Sequence, residues 1–137
     1  MTIRTFQERD EEAVVALWKD AFPDAPAWND PAVDIRRKLS VQRDLFLVAE
    51  REGALVGTAM GGYDGHRGWV YYVAVSREER GGGVGRALMQ TLEDKLRALG
   101  CPKLNLQVRA TNTAVIEFYR KLGYEVEDRV SMSKRLE

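Results

Sequence analysis

Val73-Ala74-Val75-Ser76-Arg77-Glu78-Glu79-Arg80-Gly81-Gly82-Gly83-Val84-Gly85-Arg86-Ala87-Leu88 is the stretch whose reading decides the fold. An apolar strand runs into a charged turn, the turn into a glycine run, and the glycines into an amphipathic helix reaching Leu99. The first N–H groups of a helix have no intrahelical partner and carry partial positive charge. Glycine lets a bulky anion lie close against them. With Arg80 and Arg86 beside it, the turn reads as a phosphate cradle. The plainer alternative is a flexible loop ahead of a core helix.

Downstream, Val84, Leu88, Thr91, Leu92, Leu96 and Leu99 place one face of that helix inward. Gly100 sits where a helix C′ glycine belongs, and Pro102 prevents continuation. Leu104 to Val108 reads as a strand parallel to Trp69–Val75, because a helix separates the two. Thr113 to Leu122 reads as a helix with Asn112 as N-cap and Gly123 as its stop. Tyr124 to Val126 and Val130 to Leu136 are then expected to close an antiparallel hairpin.

Upstream, Met1 to Phe6 reads as a strand, and Val14, Leu17, Trp18, Ala21 and Phe22 fall at helical spacing. Pro23 and Pro26 end that helix. The loop holding Trp28 and Asn29 leads into a short helix from Pro31 to Ser40, with Asp30 as N-cap. Leu45–Glu50, Ala54–Gly62 and Trp69–Val75 form a meander of three strands. The sum is one α+β domain over residues 1–137: a mixed α/β/α arrangement around a mostly antiparallel mixed sheet with one parallel pair.

Composition narrows the partners. Lys plus Arg is 21 and Asp plus Glu is 21, so no bulk positive charge is available for nucleic acid. The apolar runs are too short to span a membrane, and Glu8–Glu12 follow too closely on the N-terminus for a signal peptide. Cys101 is the one cysteine, which excludes an internal disulfide and a cysteine zinc cluster. A cytoplasmic protein without a metal is the expectation.

The glycine spacing fails both common phosphate motifs. Arg86 breaks the G-x-G-x-x-G pattern, and Gly85-Arg86-Ala87 lacks the Lys and Ser or Thr of a Walker A loop. Arg80 to Gly85 instead fits Arg/Gln-x-x-Gly-x-Gly/Ala, and Asn112 to Tyr124 fits Asn-x-x-Ala-x-x-x-Tyr-x-x-x-Gly-Phe. Val115 stands where alanine is frequent, and Tyr124 replaces the phenylalanine. In these two blocks the chain resembles the GCN5-related N-acetyltransferase (GNAT) family. Its stretches Trp28-Asn29-Asp30-Pro31 and Gly61–Gly68 most resemble the bacterial YpeA-like subgroup.

The resemblance implies an acyl-CoA N-acyltransferase fold with a splayed parallel strand pair, and acetyl-CoA as cofactor. It assigns the pyrophosphate to the amides of Arg80, Gly81, Gly82, Gly83, Val84, Gly85 and Arg86. The pantetheine arm falls to Val73, Ala74 and Val75, with Asn112 also contacting it. Tyr119 becomes the acid that protonates the departing CoA thiolate. The implied activity is acetyl transfer to a primary amine of a small molecule or protein, by direct attack in a ternary complex. The alternative is a module that holds acyl-CoA without turnover. Trp28, Asn29, Tyr63, Asp64, His66 and Tyr71 are the candidates for the acceptor side. Glu50, Asp64, His66, Tyr71 or a water relay could take the amine proton. Dimers through the last strands are common among such proteins, so a homodimer is one expectation.

Overall fold

The structure is a computed structural model that describes all residues, Met1–Glu137. The chain forms two compact units, Met1–Gln107 and Val108–Glu137. The first carries strands β1 (Thr2–Thr5), β2 (Phe46–Arg51), β3 (Ala54–Tyr63), β4 (Gly68–Val75) and β5 (Leu104–Asn105). Its helices are α1 (Glu11–Ala21), α2 (Pro31–Lys38) and α3 (Val84–Ala98). The strands lie in the order β1-β2-β3-β4-β5; β1 to β4 pair antiparallel, and β4 pairs β5 in parallel. The fold is therefore the mixed α+β arrangement expected from the sequence. No helix is long and apolar enough to cross a membrane.

Both faces of the sheet are covered, which is why Phe46, Leu47, Val48 and Ala49 are all buried rather than alternating. Phe46 and Val48 join Phe6, Val14, Leu17, Trp18, Ile35 and Ala74 in the core beneath α1 and α2. The opposite face lies under α3, whose buried residues are Val84, Gly85, Leu88, Met89, Leu92 and Leu96. Leu99, expected on that face, is half exposed because the helix has already ended at its C-cap. Close approach on this side depends on small residues in β3. A Cβ on Gly57 would lie 2.9 Å from Val84 Cγ1 and 3.0 Å from Leu88 Cδ1, and one on Gly61 would strike Leu92.

Local chemistry sets the helix ends. Asp30 Oδ1 accepts the Ala32 N–H at 3.0 Å, with Pro31 in the first turn of α2. Gly100 adopts a left-handed φ of 82°, and the Cys101 N–H reaches back to Leu96 O at 3.0 Å. Near the N-terminus, Arg4 clasps Asp10 with two bonds, 2.8 and 2.9 Å, and gives its Nε to Glu50 at 2.9 Å.

The second unit is built on α4 (Thr113–Lys121). Asn112 Oδ1 accepts the Val115 N–H at 3.3 Å, so Asn112 is the N-cap as expected. Tyr119 is buried, with the rings of Phe118 and Tyr124 edge-on to it. The hairpin expected over Tyr124–Val126 and Val130–Leu136 is not formed: no strand follows α4. Val130, Met132 and Leu136 are 86–92% exposed. Alternating apolar residues make a strand only when a neighbour accepts the ladder and covers one face, and a lone hairpin is marginal in water. The strand expected over Leu104–Val108 is likewise shortened to Leu104–Asn105.

Candidate functional site

The turn after β4 is shaped by its glycines. Arg77–Glu79 make one tight helical turn, the Gly82 N–H bonds Glu79 O at 3.0 Å, and Arg51 Nε pairs with Glu79 Oε2 at 3.1 Å. Gly81 and Gly83 then take φ of 82° and 88°, a backbone direction that side chains oppose. A Cβ at either position would meet nothing within 4 Å, so the need is conformational and the surface there is open.

The start of α3 follows at once. The first bond of its ladder runs from the Ala87 N–H to Gly83 O at 3.0 Å, so the N–H groups of Val84, Gly85 and Arg86 precede it. Gly83 offers no side chain to cap them, and the first turn holds no acidic residue. By contrast α1 opens with Glu11 and Glu12. The positive end of α3 thus has no side-chain cap and no acidic residue in its first turn, an arrangement that favours an anion. Arg86 is exposed beside it. Arg80 folds back instead, with Nε 3.4 Å from Val75 O.

The strand leading into this turn has an open edge. β4 pairs β5 only through Gly68↔Leu104 and Trp69↔Asn105, so from Val70 to Val75 the one strand paired with β4 is β3. The parallel pair therefore parts beyond Trp69, and Val73, Ala74 and Val75 lie along the gap. β4 is also bulged. Met60 pairs Tyr71 while Thr58 pairs Ala74, so Tyr72 and Val73 together face Ala59. Tyr72 takes the left-handed φ of 52° in the middle of a strand.

The remaining candidates fall in separate stretches. Trp28 and Asn29 are exposed on the α1–α2 loop. Asp64 and His66 lie on the β3–β4 turn, at the opposite end of β4 from the glycines, about 23 Å along an extended strand. Asp64 Oδ1 accepts the N–H groups of His66 and Arg67 at 2.7 and 2.8 Å. Those bonds, Arg67's first, hold its carboxyl below the usual aspartate range. Asp64 thereby shapes the turn, and His66 is exposed. Tyr63 is bracketed by Gln42, which bonds both its N–H and its carbonyl at 2.8 Å. Tyr71 is half exposed and its ring stacks near Trp69. Glu50 is committed to Arg4. In the second unit, burial pushes the Tyr119 phenol up to about 12, so it holds its proton at neutral pH.

Sequence reasoning missed Thr58, Asp34 and the part played by Tyr72. Trp18 Nε1 donates to Thr58 Oγ1 and Thr58 Oγ1 to Tyr72 O, both at 2.8 Å, while the Tyr72 phenol donates to Asp34 Oδ2 at 2.6 Å. The one signal available was a threonine between small apolar residues in an otherwise buried strand.

Comparison with known proteins identifies the family. The family model for the acetyltransferase (GNAT) family matches residues 11–124. An acetyltransferase of Yersinia enterocolitica is 54% identical over 99% of this chain and 96% of its own length. Among solved structures, the ribosomal-protein-alanine N-acetyltransferase of Brucella melitensis is 34% identical with a TM-score of 0.76, covering 91% of this chain and 85% of its own. Ard1 from Thermoplasma volcanium is 27% identical with a TM-score of 0.83, covering 92% and 83%. A glycine turn at an uncapped helix start, a parted parallel strand pair and a family match across most of the sequence converge: the chain belongs to the acetyltransferase (GNAT) family.

Proposed function

We propose that this protein moves an acetyl group from acetyl-CoA to a primary amine of a small molecule or a protein, by direct attack within a ternary complex. The observation that carries the reading is the continuous run from the open edge of β4 into the uncapped start of α3. Bound acetyl-CoA supplies the activated acetyl group as a thioester. The residues present fit it. The N–H groups of Val84, Gly85 and Arg86 would hold the pyrophosphate, with Gly81 and Gly83 keeping the approach clear and Arg86 adding charge.

Main-chain groups of Val73, Ala74 and Val75 would align the pantetheine arm and stabilise charge growing on a carbonyl oxygen. Asn112 would add a contact through its amide NH2, since its Oδ1 already caps α4. Tyr119 holds a proton at its phenolic oxygen and would give it to a leaving sulfur. Its family motif, Asn112 to Tyr124, supports that role. The exposed Trp28–Asn29 segment is the proposed acceptor side.

The test is release of free CoA thiol from acetyl-CoA in the presence of a panel of amines and N-terminal peptides. Amine-dependent release supports the proposal. Binding of acetyl-CoA with no release on any amine would make the protein a binding module instead.

A further inference from the structure

We propose that Thr58 is a positioning residue for acetyl transfer, holding the bulge at Tyr72–Val73 that sets the course of the cofactor-facing part of β4. This rests on the reading that β4 carries the acetyl-CoA arm.

The core holds two buried polar side chains, Asp10 and Thr58. Asp10 is accounted for by Arg4 and by the Gln7 N–H that bonds its Oδ2 at 2.8 Å. Thr58 is fully buried, and its hydroxyl is used twice, accepting from the Trp18 indole and donating to the Tyr72 carbonyl. A valine would fill the same space. The hydroxyl is therefore present for those two bonds, and one of them ends on the backbone of a strained residue.

Three residues other than glycine have positive φ: Gln42, Glu52 and Tyr72. Gln42 and Glu52 lie outside the strands, where such backbone is common. Tyr72 lies inside β4, where a bulky residue resists it and where it persists only if its surroundings over-determine it. They do so from three elements. Trp18 of α1 stacks on the Tyr72 ring at 3.7 Å. Asp34 of α2 takes its phenol, and Thr58 of β3 takes its carbonyl.

The bulge has a consequence beyond packing. In an unbulged ladder Val73 would face Thr58 and Ala74 would face Gly57; instead Ala74 faces Thr58 and Val75 faces Gly57. The extra residue turns each following main-chain group to the other edge of the strand. Whether Val73 to Val75 present the right amides to the gap beside β5 is thus decided at Tyr72, and Thr58 holds Tyr72 in place.

The experiment is steady-state kinetics and calorimetric acetyl-CoA binding on wild type, Thr58→Val and Thr58→Ser. Thr58→Val should lose kcat by about tenfold or more while KM and Kd for acetyl-CoA change by less than about threefold, because misplacement penalises reaction geometry before it penalises binding. Thr58→Ser keeps the hydroxyl and should restore kcat to within about threefold of wild type. A folded Thr58→Val with wild-type kcat overturns the proposal, as does a kcat loss that Ser does not rescue. If Thr58→Val does not fold, Thr58→Ala carries the test: kcat should fall about tenfold or more at nearly constant KM, and unchanged kcat overturns the proposal. A wild-type protein that binds no acetyl-CoA overturns the functional reading as well, so the two failures are distinct.

Discussion

Gly57→Ala should disturb both stability and cofactor binding, because Gly57 lies where α3 rests on the sheet. A Cβ there would sit 2.9 Å from Val84 Cγ1, 3.0 Å from Leu88 Cδ1 and 3.1 Å from Ala74 O. Two of these are side-chain methyls that can rotate. The third is a backbone carbonyl of β4, which cannot yield without moving the strand. Overpacking of this kind costs about 1–3 kcal/mol. For a domain of this size that lowers Tm by roughly 4–12 °C.

The direction of the push matters more than its size. Val84 is the first residue of α3, so the methyl drives the helix start proposed to hold the pyrophosphate away from β4. Acetyl-CoA affinity should fall about fivefold, since pyrophosphate and arm must be held in one geometry. Gly53→Ala is the control. Gly53 has φ of 79° with nothing within 4 Å of an added Cβ, so its cost is backbone strain alone, about 1 kcal/mol, with affinity unchanged. Thermal unfolding and calorimetry of the two variants give the answer. Wild-type affinity in a folded Gly57→Ala, or a Tm equal to that of wild type, would refute the reasoning.

Further outcomes follow from the same structure. Tyr119→Phe should lower turnover by about a hundredfold and leave acetyl-CoA affinity unchanged, as measured by CoA release and calorimetry; an unchanged rate removes Tyr119 as the acid. The folded pKa of Tyr119, about 12, lies above the unfolded value of about 10. Its stability contribution is therefore whole below pH 10 and is lost as pH rises toward 12, amounting to about 1 kcal/mol at pH 11. Urea midpoints of wild type should fall more between pH 9 and 11 than those of Tyr119→Phe. At the acid end, Arg4 first and the Gln7 N–H after it hold Asp10 below the usual aspartate range. That stability is present above pH 4 and is lost as pH falls through the depressed value. Asp10→Asn should cost roughly 2 kcal/mol at pH 7 and flatten the acid decline in Tm; a decline as steep as wild type would contradict it.

Where strand, turn and helix follow one another locally, the sequence was legible. Val75 to Val84 carries its own instructions: β-prone residues, then glycines at the two positive-φ sites, then a helix with a 3.6-residue apolar period. The caps at Asp30, Asn112 and Gly100 were readable for the same reason. What was not readable depends on partners far along the chain. The bulge at Tyr72 has no glycine to mark it, and the residues that enforce it, Trp18, Asp34 and Thr58, are spread over three other elements. Gly57 looks like any strand glycine until α3 is laid over it. The alternation of Val130, Met132 and Leu136 suggested a strand, yet a strand needs a neighbour that period alone does not supply. The two backbone bonds by which Asp64 shapes its turn are likewise a geometry that composition does not disclose.

Calorimetric titration of acetyl-CoA into wild type and Gly83→Val tests most directly whether the glycine turn and the start of α3 hold the cofactor. Gly83 takes φ of 88° with open space around it, and a β-branched residue there must redirect the backbone. Wild type should bind, and a folded Gly83→Val should bind at least about tenfold more weakly, with Gly53→Ala unchanged. Equal affinity in wild type and Gly83→Val, or no binding by wild type, would contradict the assignment of the site.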